Sequence, residues 1–562
     1  MSRVHLHEEL ALSGDRVEVQ TRHGPIKGGL AANGAAVFLG ACIVSNATLK
    51  PRALSASDVL RWRGSSFIEV PYALPPVRFQ DPEPLPPDYR YESKDYSVVY
   101  LTVTFNEVDC AQPKNDGQAA GSPFEDKVGL GRVSENPLFV NIVSPSRVSS
   151  DSKFPVKVYI HGGFLQYGSP HGLSGQAQYV AAGRSEVWVN IGYRLSVLGF
   201  LACDQPPVSG NFGFKDQWLA LLWIRDNIEA FGGDPKNIQV SGLSAGAHSV
   251  HQLLHHVSRM PEGVDSPFQS AVLQSNAIML NPKTPTELRS QFRALCEALR
   301  LDPDASDVLA TLRDPSKVTT SALLHVIETE EVGVLNSTFR GCLDGSWLAT
   351  SPDPMTWQRT GGFARALRAK GVRSIVVGEL TEEWYLYAIA HPVKDLTDAI
   401  GNMGRYYPME VVEKLLAFYD KPSEDASAND AKRFMGLVLS DGQVYLPVRL
   451  LARDLAAAGF PVLRYQIRWT PEQVRPPRGY VTHGTDRSLW TLRLPSLDES
   501  QADVARAWLD SIVEETKVVE TQGNTRGLHE VLALNEDRTI GWRADDRWDE
   551  LIRLRVALPG EV

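Results

Sequence analysis

The sequence predicts an α/β fold, with a mostly parallel, twisted sheet covered by helices on both faces. Three observations carry this. From residue 138 onward, short apolar runs that suit buried strands alternate with longer stretches that suit helices. One such run, Asn237-Ile238-Gln239-Val240, passes through Ser241-Gly242-Leu243-Ser244-Ala245-Gly246 into a breaker-poor stretch ending at Met260. Another, Val156-Lys157-Val158-Tyr159-Ile160, ends in His161-Gly162-Gly163-Phe164. Glycine turns at the carboxyl ends of parallel strands are where open sheets handle their ligands.

In chain order, residues 17–29 suit an antiparallel strand pair around a Gly-Pro turn. Residues 41–62 fit no element and read as an insertion, while Val70-Pro71-Tyr72-Ala73 and the Pro-rich run to Pro87 suggest irregular surface structure. Residues 110–135 are polar and glycine-rich, as a loop would be. Residues 138–143, 156–160 and 187–191 are apolar enough for buried strands. The 216–231 stretch brings Trp218, Leu222, Ile224, Ile228 and Phe231 near one helical face, with Gly232-Gly233 and Pro235 as its stop. Residues 270–274 form the next strand and 284–335 look largely helical. Residues 373–377 and 462–467 are the last strong strands, followed by helices over 502–517 and 547–556.

At 562 residues the chain has the length of about three or four average domains. No linker-like run or repeat divides it, so one large domain over 1–562 with insertions is expected. A hydrophobic fraction of 43% and a charged fraction of 22% are those of a soluble globular protein. A net charge of −10 disfavours a nucleic-acid partner. No run approaches the ~20 apolar residues needed to span a membrane. The amino-terminal residues lack a secretory pattern. Five scattered cysteines, Cys42, Cys110, Cys203, Cys296 and Cys342, make no disulfide framework. A reduced, cytoplasmic setting is therefore expected. No Cys–His cluster has metal-ligand spacing, so neither a metal nor a cofactor is expected. Nothing in the sequence speaks to oligomeric state.

The Gly242-x-Ser244-x-Gly246 pattern supplies chemistry. A turn this sharp excludes a β-carbon two residues either side of the serine and exposes the hydroxyl above the sheet. A serine needs an adjacent base, and the base a group to orient it. In a sheet of this kind the order along the chain is Ser, then Asp or Glu, then His. Of the 13 histidines, His248, His251, His255 and His256 fall on the helix after Ser244, His325 is helical, and His391 comes early. His483 lies in the loop after the last strong strand, where a base should be, and His529 is the weaker rival. The acid should follow Val377, where Glu379, Glu382 and Glu383 all qualify. An oxyanion hole would use the N–H of Ala245 with those of Gly162, Gly163 and Phe164.

With these residues in place, the chain resembles the type-B carboxylesterase (cholinesterase-like) family of α/β-hydrolases, in an intracellular fungal-type branch. The landmarks are Val70-Pro71-Tyr72-Ala73, Ile160-His161-Gly162-Gly163, Tyr193-Arg194-Leu195, Asn211-Phe212-Gly213-Phe214-Lys215-Asp216-Gln217, Ala230-Phe231-Gly232-Gly233-Asp234-Pro235 and Gly242-Leu243-Ser244-Ala245-Gly246. The resemblance implies a serine ester hydrolase that acts through an acyl-enzyme on an ester or lactone of a small to medium organic molecule. It selects Glu383 as the acid and matches Thr482-His483-Gly484-Thr485 to the family's histidine loop. Leu243, Trp384 and Trp490 are expected near the substrate. Leu243 stands where the family usually has Glu, and Phe164 replaces a third glycine. Cys110 faces Pro137 rather than a disulfide partner, and the rim before Arg78-Phe79 is short. An acyltransferase would share this machinery, and a non-catalytic recognition protein would usually lack the serine or the histidine.

Overall fold

The strand that leads into the serine turn lies in the interior of a 13-stranded sheet. The computed structural model describes residues 6, 9–10, 15–39, 70–91, 108–113, 132–145, 151–172, 175–476 and 478–561. At one edge, β1 (Arg16–Thr21), β2 (Gly24–Leu30) and β3 (Ala36–Phe38) are antiparallel. The two-residue β4 (Val70–Pro71) docks elsewhere on the same sheet, and β5 (Val108–Cys110) pairs with β6 (Arg132–Ser134) apart from it. Strand β7 (Phe139–Ser144) joins this edge to the parallel centre. That centre consists of β8 (Phe154–Ile160), β9 (Val187–Ile191), β10 (Gly233–Leu243), β11 (Ser270–Gln274), β12 (Ser374–Leu380), β13 (Val462–Ile467) and β14 (Glu530–Leu534). An antiparallel β15 (Ile540–Ala544) closes the far edge.

The central strands are covered on both faces, which is why they read as continuous apolar runs rather than alternating ones. Val156, Val158, Ile160, Val189, Ile191, Val240, Ala271, Leu273, Ile375 and Val377 are all fully buried. Each such Val, Ile or Leu contributes about 1.5–3 kcal/mol relative to exposure. Because the strands are parallel, β8, β10, β12 and β13 all end on one edge of the sheet, where the chain then turns into loops. Ser244 follows β10, His161–Phe164 follow β8, Glu383 follows β12 and His483 follows β13. Convergence of these residues is thus a property of topology before it is one of side chains.

Several elements differ from expectation. The first hairpin turns at Arg22-His23, and Gly24-Pro25 begins β2, because the register pairs Thr21 with Gly24. Val70 to Ala73 is core and not surface: Val70 and Pro71 pair with β7, and the buried Tyr72 hydroxyl donates to the Gly192 carbonyl at 2.7 Å. The predicted 216–231 helix starts earlier, at Phe212, and ends as a 3-10 turn over Ile228–Phe231 before Gly232 at φ 81°. Strand β12 runs on through Glu379 and Leu380, past the expected end at Val377. The β14–β15 hairpin was not expected, since 462–467 looked like the last strand. The 502–517 helix spans Glu499–Gln522, started by an Asp498/Gln501 capping box. The 41–62 segment and residues 114–131 of the expected 110–135 loop lie outside the described residues.

Two features beyond the sheet bear on the site. The short Trp384–Ile389 helix packs so closely on the Ala428–Ser440 helix that a β-carbon on Gly436 would lie 2.4 Å from the Trp384 carbonyl oxygen. The latter helix then passes through a π-turn at Asp441–Tyr445 into the Leu446–Ala457 helix. Among the described residues no helix is long and apolar enough to cross a membrane. Cys203, Cys296 and Cys342 are buried free thiols, and Cys110 is buried as well.

Candidate active site

Ser244 has φ 61° and ψ −125°, a conformation that costs a non-glycine residue about 1–3 kcal/mol. Its surroundings fix it there. A β-carbon on Gly242 would lie 2.3 Å from the Gly246 carbonyl carbon, and one on Gly246 would lie 2.1 Å from the Ile160 carbonyl oxygen. Both glycines of the motif are therefore required by contact with neighbouring backbone. The Ser244 N–H donates to the Gln274 carbonyl at 2.8 Å, and its own carbonyl accepts from the His248 N–H at 2.9 Å. The Ala245–Val257 helix begins directly behind the serine, adding the field of its first unpaired N–H groups.

The loop after β8 is pressed against this turn. A β-carbon on Gly162 would sit 2.5 Å from the Leu243 carbonyl oxygen and 3.0 Å from Ser244 Cβ. Gly163, Phe164 and Leu165 then all have positive φ, at 118°, 57° and 65°. The turn is held by Gln166 and Tyr167, whose N–H groups both donate to the Gly163 carbonyl. Among the described residues, no backbone carbonyl accepts the N–H of Gly162, Gly163, Phe164 or Ala245. Such free, fixed donors beside a serine are what an oxyanion hole consists of. Phe164 keeps its N–H while its buried ring packs at 6.2–6.5 Å from the rings of Tyr387, Tyr406 and His391.

The three candidate carboxylates have separate fates. Glu379, on β12, is fully buried and faces the Arg449 guanidinium at 3.0 Å. Burial raises its pKa, with Arg449 and Arg464 opposing. Arg449 and Arg464 in turn hold Asp545 at 2.8 and 2.5 Å. Breaking such a buried network typically costs about 3–5 kcal/mol. Glu382 is half-buried and clips two loops together: Val481 N–H donates to its carboxylate at 2.7 Å, and its own N–H donates to the Val481 carbonyl at 3.0 Å. Glu383 is fully buried, and its Oε2 lies 2.6 Å from His483 Nδ1. The Leu380 N–H donates to the other Glu383 oxygen at 3.0 Å.

Tyr445, which no sequence pattern singled out, fixes the acid from behind. Its hydroxyl accepts from the Glu383 N–H at 3.1 Å and donates to the Leu380 carbonyl at 2.9 Å. The π-turn delivers it, as such irregular turns often do near functional residues. Asp486, three residues after His483, is buried; its pKa is pushed up to about 6, chiefly by desolvation, and it accepts from Trp490 Nε1 at 2.8 Å.

His483 Nε2, the nitrogen turned away from Glu383, is buried and hydrogen-bonds nothing. Ser244 Oγ therefore makes no hydrogen bond to this nitrogen in the structure. The two loops that carry them come close: Leu243 Cδ2 is 3.5 Å from where a β-carbon on Gly484 would be. The rival His529 precedes β14, on the sheet edge opposite to Ser244, and its ring packs on Trp548 at 5.0 Å.

Of the residues expected near the substrate, Leu243 is buried between the serine and histidine loops. Trp384 lies on the outer side of the acid turn, under Arg433 at 4.5 Å and edge-on to Tyr480 at 5.0 Å. Trp490 is in the core, with Tyr465 and Trp508 at 5.4 and 6.0 Å, which commits its ring to packing. A cavity of about 570 Å³ opens near Glu382 and Val481, but it is lined by neither Ser244 nor His483. Its Arg468, Arg475 and Arg538 are already paired with Glu472 or Glu536.

The chain is similar to known proteins along most of its length. A model of the carboxylesterase family matches residues 56–505. An uncharacterized esterase/lipase of Schizosaccharomyces pombe is 30% identical over 510 residues, covering 86% of this chain and 90% of that protein. A carboxylic ester hydrolase of Gibberella moniliformis is 28% identical over 520 residues, with 86% and 90% covered. Carboxylesterase 1D of Rattus norvegicus is 26% identical over 440 residues, with 75% and 74% covered. Among solved structures, a PNB esterase superposes with a TM-score of 0.67 at 23% identity, covering 96% of this chain and 99% of the other. That likeness shows an α/β-hydrolase fold. The chain belongs to the carboxylesterase family, and it is a carboxylesterase built on that fold.

Proposed function

We propose that Ser244, His483 and Glu383 act as nucleophile, base and orienting acid in hydrolysing an ester or lactone of a small to medium organic molecule. The observation that carries this is the 2.6 Å contact between His483 Nδ1 and the fully buried Glu383 carboxylate. Nδ1–H donates to the carboxylate, which leaves Nε2 unprotonated and free to accept the serine proton. Hydrogen bonds between nucleophile and base are often open in the free enzyme and close in the complex.

In this mechanism Ser244 Oγ attacks the ester carbonyl as His483 takes its proton. The N–H groups of Gly162, Gly163, Phe164 and Ala245 receive the developing oxyanion, each donor contributing about 3 kcal/mol. His483 returns the proton to the leaving alcohol, then activates the water that releases the acid. Glu383 holds the tautomer and stabilises the imidazolium, without itself being protonated.

Glu383→Gln should lower kcat on a short p-nitrophenyl ester by about 10²–10⁴, since an amide no longer fixes the tautomer or balances the imidazolium. Glu382→Gln keeps the acid–base pair and weakens only the clip to Val481, so a loss below about tenfold is expected. Steady-state kinetics on both variants decides. Larger damage from the Glu382 substitution would move the orienting acid by one residue.

A further inference from the structure

Arg340 is a half-buried cation that the mechanism above leaves unused. Its Nε and Nη2 are themselves buried and, among the described residues, find no hydrogen-bond partner and no carboxylate to pair with. The buried arginines of the fold are matched by acids: Arg78 by Glu135, Arg194 by Asp216, Arg405 by Glu330, and Arg449 and Arg464 by Asp545. Its guanidinium carbon lies 4.8 Å over the Tyr406 ring, and Tyr387, Tyr407, His248 and His391 are close enough to feel its charge; the other cation acting on Tyr406 and His391, Arg405, is itself paired with Glu330. Burial raises the phenols and lowers both imidazoles to about 3, so none of them carries a compensating negative charge at neutral pH.

The placement ties this cation to the oxyanion loop. Gln166, two residues after Phe164, donates to the Phe339 carbonyl at 2.5 Å and accepts from the Phe339 N–H at 3.2 Å. Arg340 is the next residue. The Tyr406 ring beneath it is 6.2 Å from the rings of both Phe164 and Tyr387, and Tyr387 is 6.2 Å from the His483 ring. The Tyr406 ring thus lies between the guanidinium and Phe164 of the oxyanion loop, and Tyr406 followed by Tyr387 leads from it to the His483 ring. Two buried, unpaired guanidinium nitrogens are costly to keep, and the planar fork matches a carboxylate in particular.

We propose that Arg340 binds a carboxylate carried by the ester substrate, so that the enzyme prefers anionic esters such as half-esters of dicarboxylic acids. This rests on the esterase mechanism above and adds the substrate's charge to it.

The test compares 4-nitrophenyl hydrogen glutarate with 4-nitrophenyl valerate, and O-butyryl glycolate with ethyl butyrate, in the full-length protein. The first pair places the carboxylate on the acyl side and the second on the alcohol side. The wild type should favour the anionic member of one pair by tenfold or more in kcat/KM, expressed mainly in KM. Arg340→Gln should cut that ratio at least tenfold, and Arg340→Lys should restore part of it. Calorimetric titration of wild type with glutarate, and with glutaramide as its uncharged control, needs neither turnover nor a variant; glutarate should bind at least tenfold more tightly. Equal kcat/KM within both pairs and equal binding of glutarate and glutaramide would overturn the assignment while leaving the esterase intact. Failure to hydrolyse any of the esters would instead overturn the proposed mechanism, and the glutarate titration would still judge Arg340 alone.

Discussion

Replacing Ser244 by alanine should reduce turnover of a short p-nitrophenyl ester by about 10⁶ in kcat, to a residue left by the oxyanion donors. The loss is large because the other parts are arranged around that one oxygen. Gly162 packs against the Ser244 β-carbon, and among the described residues no backbone carbonyl takes the N–H groups of Gly162, Gly163, Phe164 or Ala245, the proposed oxyanion donors. The fold should tolerate the change. Alanine keeps the β-carbon that Gly162 meets, and the backbone bonds to Gln274 and His248 involve main-chain atoms only. A melting temperature within a few degrees of wild type, together with lost turnover, is the expected pair of results. Full turnover in this variant would remove Ser244 from its role.

Acid should unfold the protein well before its carboxylates would. His161 and His251 are lowered to about 4, His248 and His391 to about 3, and His255 lies well below its ordinary value. Desolvation is the leading cause in each. The hydrogen bonding of His251 agrees: Nδ1 accepts the Ile278 N–H at 3.0 Å, which a protonated ring could not do, and Nε2 meets Gln358 at 2.9 Å. Unfolded, these rings titrate near 6.5. The unfolded chain therefore binds more protons as pH falls through that value, and stability drops with it. Each histidine contributes about 1 kcal/mol of loss per pH unit, starting near pH 6.5 and ending near its folded value. Asp486 works the other way: its raised value of about 6 means that protonation below pH 6 favours the fold and offsets about one histidine. The net is several kcal/mol by pH 5, a large share of typical domain stability. Urea unfolding at pH 7.5 and 5.5 measures it, and His255→Phe, stacked on Phe363 4.4 Å away, should flatten the slope. An unchanged midpoint between the two pH values would contradict neutral buried rings.

The Ser244 turn was legible because its two glycines stand at fixed offsets from the serine, even though only Gly242 is forced by backbone within a few residues and Gly246 is forced by the Ile160 carbonyl of β8. The central strands were legible for a similar reason, since burial on both faces leaves unbroken apolar runs such as 156–160 and 270–274. Position in the chain brought the histidine to 483, but three glutamates within five residues could not be separated by pattern. Their fates depend on partners 60 to 170 residues away, Arg449 and Asp545 for Glu379, Val481 for Glu382, Tyr445 and His483 for Glu383. The β14–β15 hairpin was missed because β14 is held by pairing with β13, which no local alternation announces. Trp490 was expected near the substrate from its nearness in sequence to His483, and the structure shows its ring packed against Tyr465 and Trp508, partners no local pattern announces. Arg340 gave no signal because what distinguishes it is the absence of a paired acid in three dimensions among the described residues.

The two hydrogen bonds between Glu382 and Val481, one from backbone to backbone and one to the carboxylate, have a consequence for engineering. They fasten residues 379–383 and 480–486 as one cassette, so the spacing of Glu383 and His483, the proposed acid and base, should survive best when both segments come from the same parent. Chimaeras that exchange the two together should retain turnover, and those that graft either one alone should lose it while still folding.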